Sequence, residues 1–254
     1  MFSAQGTYQP IGLFSNGHII SIIICFFLVA LAVFFTRKMS SGTLDKMLMV
    51  CACLFTVLEI FKIIWNLTNG YNHVNQWVPL YFCSLFIYAL WFSIFKNKFM
   101  KEMGLSYIAL AGIFSGAVFI ILPTTSFNDY PIFHFQCIYS MLFHSVMLYV
   151  GIMTFITKAV KINLKLVAKY CIYCAIFMSL AIIVNIAFNG NLMFLTHPGV
   201  IPLPFLKAIH NYSPVIYTLT IVIAHMLLGF TVYGINKGIE LVKQPDEETE
   251  FKDV

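Results

Sequence analysis

Charge is what this sequence has least of. Only 10% of its residues are charged and 60% are hydrophobic, whereas about a quarter of an ordinary soluble domain is charged. That excludes a soluble globular chain. The first 36 residues contain no Lys or Arg, so the basic start of a secretory signal peptide is missing, and the first apolar stretch is read as a retained, N-out span. No internal repeat is evident, which weighs against an inverted-repeat transporter. There is no nucleotide motif, no convincing metal cluster and no cofactor signature, so neither metal nor cofactor is expected. All seven Cys fall in or beside apolar segments, which leaves no extracellular disulfide framework. Cys51-x-Cys53 and Cys171-x-x-Cys174 read most simply as small packing residues.

What is present is a set of seven apolar stretches: 18–35, 47–65, 78–95, 105–122, 135–155, 166–187 and 212–235. Each is close to the roughly 20 residues a helix needs to cross about 30 Å of hydrocarbon. The 15 Lys and Arg mark every second connection. Arg37, Lys38 and Lys46 follow the first stretch, and Lys96, Lys98 and Lys101 follow the third. Lys158, Lys161, Lys165 and Lys169 follow the fifth, and Lys237, Lys243 and Lys252 follow the seventh. Only Lys207 lies on the other side, and Lys62 lies inside a stretch. The positive-inside rule then predicts an all-α, seven-helix transmembrane bundle with its N-terminus outside and its C-terminus in the cytoplasm. Residues 1–17 are expected to be extracellular, 18–235 to form one membrane domain, and 236–254 to form an acidic cytoplasmic tail. The net charge of +5 is spread over four connections and reports topology, not nucleic-acid binding. The location is an integral, multi-pass one; in a bacterium it would be the plasma membrane.

One outer connection is long. Between Phe188 and Asn211 it holds Asn189, Gly190, Asn191, His197, Pro198, Gly199, Pro202, Pro204 and His210. It reads either as a segment dipping into the bilayer or as a strap on the headgroups. Asn66-Leu67-Thr68 and Asn211-Tyr212-Ser213 fit the N-glycosylation pattern on the outer side.

Polar residues at membrane depth carry the functional signal, because desolvating them is unfavourable. Glu59 and Lys62 share a helix face at i, i+3, and Asn66 extends that stripe. By rise per residue, Glu59 lies roughly 10 Å, Lys62 roughly 5 Å, Cys83 roughly 8 Å and His144 roughly 14 Å below the outer boundary. Cys137 and Ser140 share the face of His144 at i−7 and i−4. His225 lies in the last stretch, and Asn185 near the outer end of the sixth. A Cys in a span is usually a packing residue, and a single intramembrane His often bonds helices together. The shared depth of these groups predicts one polar pocket opening toward the outer leaflet.

The runs Glu59-x-x-Lys62, Trp77-x-Pro79-Leu80-x-x-Cys83-Ser84, Pro131-Ile132-Phe133-His134-Phe135-Gln136 before His144, and Asn185 to Leu195 carry a resemblance. The chain resembles the YwaF family of integral membrane proteins, grouped with vertebrate transmembrane protein 164, over roughly residues 48–233. That resemblance implies a lipid acyltransferase, distantly similar to membrane hydrolases with a hydroxyl nucleophile and a His. It implies a nucleophile at the start of one span and a His in a later one, which fall here on Cys83 and His144. The expected function is a lipid acyltransferase or acyl hydrolase acting on membrane lipids. Cys83 would be its nucleophile and His144 its base. Glu59, Lys62, Ser140, Asn185, Asn189 and His225 would line the substrate site, with Asn185 and the 189–191 backbone as oxyanion donors. Two other readings stay open: a small-solute or proton-coupled transporter or binder, in which Glu59 matters most, and a structural subunit, in which every substitution costs stability.

Overall fold

The structure, a computed structural model, describes residues 1–199, 201 and 203–242. The charged residues beyond Val242, including Lys243, Lys252 and the acidic run expected of the tail, lie outside the described residues. Every regular element among the described residues is helical. Six helices are long and apolar enough to cross a membrane: α1 (Asn16–Thr36), α2 (Ser41–Thr68), a rod over 98–121, α7 (Phe135–Ile156), α8 (Leu164–Phe188) and α10 (Pro214–Val242). Side-chain caps set many of their starts. Ser15, Ser40, Asn97, His134 and Asn163 accept from N–H groups of the first turns, satisfying donors that have no intrahelical partner.

The rod consists of α5 (Lys98–Tyr107), a π-helical turn at Ile108–Gly112 and α6 (Ile113–Ile121). The rod and α7 form the centre; 61% and 56% of their most apolar windows are buried, against 11% for α1 and 17% for α10. All five residues of the π turn are buried. Such turns insert an extra residue and occur often at functional sites.

The third apolar stretch departs from expectation. It does not form a long helix. A single turn, α3 (Val74–Trp77), is followed by irregular backbone over 78–84, and only Leu85–Ser93 is helical (α4). The reason is local. Pro79 has no N–H to give and drives the residue before it out of the α region, and Val78 is extended at φ −84°, ψ 117°. Hydropathy is blind to this, since the segment is equally apolar whether helical or not.

Backbone that leaves the helix at membrane depth must find partners inside the protein. Tyr107 supplies one, and Tyr173 braces the first residue of α4. The Tyr107 hydroxyl of α5 donates to the Phe82 carbonyl, and the Tyr173 hydroxyl of α8 donates to the Leu85 carbonyl at 2.7 Å. α4 is thereby held between α2, α5 and the π turn. Its closest approach is at Gly104, where a Cβ would meet the Ala89 carbonyl and come within 2.5 Å of the Ser93 nitrogen. Both obstacles are backbone. Gly104→Ala is therefore expected to cost about 3 kcal/mol through overpacking, seen as a lower unfolding midpoint in detergent.

Ion pairs tie the starts of three helices at one end of the bundle: Lys101 with Asp45 at 2.6 Å, and Lys169 with Glu102. The other end is closed by residues 189–199 and α9 (Pro204–Tyr212). Leu192, Met193 and Leu195 are buried in the main core, and α10 secures this connection, with Tyr217 and Thr218 donating to the Phe194 and Leu195 carbonyls at 2.7 Å. Asn66 is buried, its amide donating to the Gln76 carbonyl and accepting from Gln136. The side chain of the Asn66 sequon is thus engaged within the fold.

Candidate functional site

The stripe on α2 faces α7. The Tyr139 hydroxyl donates to Glu59 Oε2 at 2.5 Å. Lys62 Nζ lies 2.5 Å from Oε1 and 5.5 Å from the centre of the Tyr139 ring. Oε1 makes no directed hydrogen bond, so its contact with Lys62 is ionic. One turn toward the α2 C-terminus, Gln136 Nε2 donates to Asn66 Oδ1 at 2.9 Å. Glu59 is 5% exposed, and a carboxylate at that depth requires both a cation and a donor. Tyr139 is the partner that sequence reading missed. The available signal is the unmet demand of Glu59 for a donor, yet nothing distinguishes Tyr139 in the sequence from the many packing aromatics of that span.

Cys83 is the last residue but one of the irregular segment. It precedes Ser84, the N-cap of α4, and is half-buried. Its carbonyl accepts from Phe86 N–H at 3.0 Å. The residue thus sits at the start of α4 and is partly accessible. Position depends on the neighbouring carbonyl of Phe82. Tyr107→Phe leaves that buried acceptor unpaired and is expected to cost about 1–3 kcal/mol, read as a lower unfolding midpoint.

His144 presents one tautomer. Nδ1 lies 2.7 Å from the Ser140 carbonyl, which only accepts, so the ring proton is on Nδ1 and the neutral Nε2 is bare. Nε2 is buried with no hydrogen-bond partner. The ring stacks on Phe119 at 3.6 Å and 6° and meets the edge of Phe143 at 5.2 Å. A glycine at 116 permits this, since a Cβ there would lie 2.7 Å from the His144 carbonyl. Cys83 and His144 themselves are not hydrogen-bonded.

The remaining predicted residues are distributed differently. Ser140 enters through its carbonyl alone. His225 donates from Nδ1 to the Ile221 carbonyl at 2.8 Å and packs its ring 4.4 Å from that of Phe82, next to Cys83. Asn185 is engaged by the long connection: Oδ1 accepts from Leu192 N–H at 2.8 Å and Nδ2 donates to the Leu192 carbonyl at 3.1 Å. Asn189 caps α8 with left-handed backbone, φ 52°. These two line a separate polar cleft of about 490 Å3 with Asn75, Asn191 and His197. The structure therefore separates Asn185 and Asn189, which line an outer cleft, from Glu59, Lys62 and His144 on α2 and α7 and from Cys83 at the start of α4.

The model of the TMEM164 family matches residues 13–231. The chain belongs to the TMEM164 family. That match spans Glu59, Lys62, Cys83, His144 and the outer cleft of this family member. No curated protein matches it, and no solved structure does.

Proposed function

We propose that this TMEM164 family member is a seven-pass membrane thiol acyltransferase or acyl hydrolase acting on phospholipid, with its N-terminus outside and its C-terminus in the cytoplasm. The seventh passage is the broken segment. α2 runs away from the ion-paired end and α5 starts from it, so the residues between them, α4 included, run back across the bundle. The charge pattern agrees: the ion-paired starts of α2, α5 and α8 gather the basic connections at one end.

The observation that carries the catalytic reading is the break itself. It brings a half-buried cysteine to the start of α4, in a bundle that also holds the Glu59–Lys62 ion pair and a bare, unpartnered imidazole nitrogen. A nucleophilic thiol needs a cation or helix start to favour its thiolate. His144 Nε2 takes the proton from Cys83 Sγ. The thiolate forms a bond to the carbonyl carbon of a lipid ester, and Lys62 faces the negative charge. As the carbon–oxygen bond breaks, His144 returns the proton to the leaving lipid oxygen, and a thioester remains. A hydroxyl of a second lipid, or water, then gives its proton to His144 and attacks the thioester; the carbon–sulfur bond breaks and His144 returns the proton to Cys83 Sγ. Apo sites often hold such partners apart until substrate binds, which fits the missing Cys83–His144 hydrogen bond. Asn185 serves the long connection, so backbone N–H groups at Cys83 and Ser84 take the role of oxyanion donors.

The test is turnover of a phospholipid with an isotopically labelled acyl chain, using purified protein in liposomes and mass spectrometry. Labelled fatty acid or transacylated lipid from the wild type, absent with Cys83→Ala, is the expected result. No product from either protein, both equally folded, would remove the catalytic reading for those lipids and favour transport.

A further inference from the structure

The outer cleft has a hydrogen-bonding character that its own network determines. Asn191 Oδ1 accepts from Thr196 N–H at 3.1 Å, Thr196 Oγ1 at 2.7 Å and His197 N–H at 3.2 Å, which fixes Nδ2 as the donor to the His197 carbonyl at 2.9 Å and to His197 Nδ1 at 3.2 Å. Because His197 Nδ1 accepts, the proton of the neutral ring is on Nε2. His73 reaches the same state by another route: its Nδ1 accepts from Asn75 N–H at 3.3 Å. Asn75 Oδ1 accepts from Asn191 N–H at 2.8 Å, so its Nδ2 is the free end. The groups left uncommitted at His73, His197 and Asn75 are all N–H donors. No carboxylate lines the cleft; Asn189 adds an adaptable amide at its mouth.

A cleft lined by free donors, those of His73 and His197 on exposed side chains, suits a ligand that only accepts. Sugar hydroxyls and ammonium groups bring donors of their own and find few acceptors here. A phosphodiester presents two oxygens without hydrogens and a single charge, which matches neutral imidazole and amide donors without Lys or Arg. The flanks indicate where that ligand comes from. Ile186, which lines the cleft, is 78% exposed, and Phe188 beside it is 60% exposed. Both lie on the last turn of a membrane-length helix, where exposed apolar side chains meet acyl chains.

We infer that this cleft is a binding site for the phosphodiester of a glycerophospholipid in the outer leaflet, held by His73, Asn75 and His197. The inference goes beyond the catalytic reading, since it stands whether or not Cys83 is a nucleophile, and its readout is binding.

The experiment is native mass spectrometry of the full chain in detergent, titrated with phosphatidylglycerol and with diacylglycerol of the same chains. Asn75→Asp keeps the oxygen that accepts from Asn191 and replaces the free donor with an anionic oxygen. It should weaken phosphatidylglycerol binding by about tenfold or more, the value of one charge-assisted hydrogen bond, and leave diacylglycerol binding unchanged. His73→Ser keeps an N-cap oxygen for α3 and removes the Nε2 donor, and should weaken the same lipid. Glycerophosphoglycerol, the same phosphodiester without chains, should fail to displace the lipid; displacement at equal concentration would overturn the lipid assignment. Unchanged phosphatidylglycerol affinity in both folded variants, or equal affinity for diacylglycerol, would overturn the site.

Discussion

Replacing Cys83 by alanine should lower phospholipid turnover at least about 10⁴-fold, the order of effect of losing a covalent nucleophile. The fold should survive, because the side chain is small and half-buried and its segment is held by the hydroxyls of Tyr107 and Tyr173. His144→Gln should lower turnover about 10²–10⁴-fold, the range of a positioned general base. The two residues act as one unit, so the double variant should be no slower than Cys83→Ala alone. Intact-protein mass spectrometry adds a second readout. Wild type mixed with labelled phospholipid should carry one acyl mass that neutral hydroxylamine removes, and Cys83→Ala should carry none. Turnover within about tenfold of wild type in folded Cys83→Ala would be too small a loss for a covalent nucleophile and would end the assignment.

Different parts of this molecule were readable from sequence to different degrees, for reasons visible in single residues. The six long helices follow from apolar length alone, a property of composition. The Glu59–Lys62 pair follows from i, i+3 spacing, since both ends lie on one helix. Val78–Phe95 satisfies the same length criterion and is nevertheless broken. Pro79 was the local sign, and hydropathy does not weigh it. Pairings across the bundle were illegible because their signal is tertiary. Tyr139 looks like any aromatic of its span until Glu59 is placed opposite it. Asn66 matches a sequon over three residues, and only the approach of Gln136 and Gln76 buries it. Asn185 and Asn189 are visible as polar residues at a helix end. That Asn185 clamps Leu192, seven residues away, depends on how the intervening turn folds.

Lys62→Met should be among the most destabilising single changes in the chain, costing about 3–5 kcal/mol. It strands Glu59, which is 5% exposed and then has only the Tyr139 hydroxyl to offset its charge. Adding Glu59→Gln should restore most of the loss, because a neutral amide still accepts from Tyr139 and no buried charge remains. The double variant is thus predicted to be more stable than Lys62→Met alone, with a coupling of about 2–3 kcal/mol in a double-mutant cycle. Unfolding midpoints in detergent measure this. A cost below about 1 kcal/mol for Lys62→Met would mean that the pair behaves as a solvent-screened surface bridge and that Glu59 is open to water. The cycle also separates folding from chemistry. A double variant that regains stability but still turns over lipid far more slowly than wild type would assign Lys62 to the charge that develops at Cys83. Recovery of both together would leave the ion pair as the brace that positions α2 against α7.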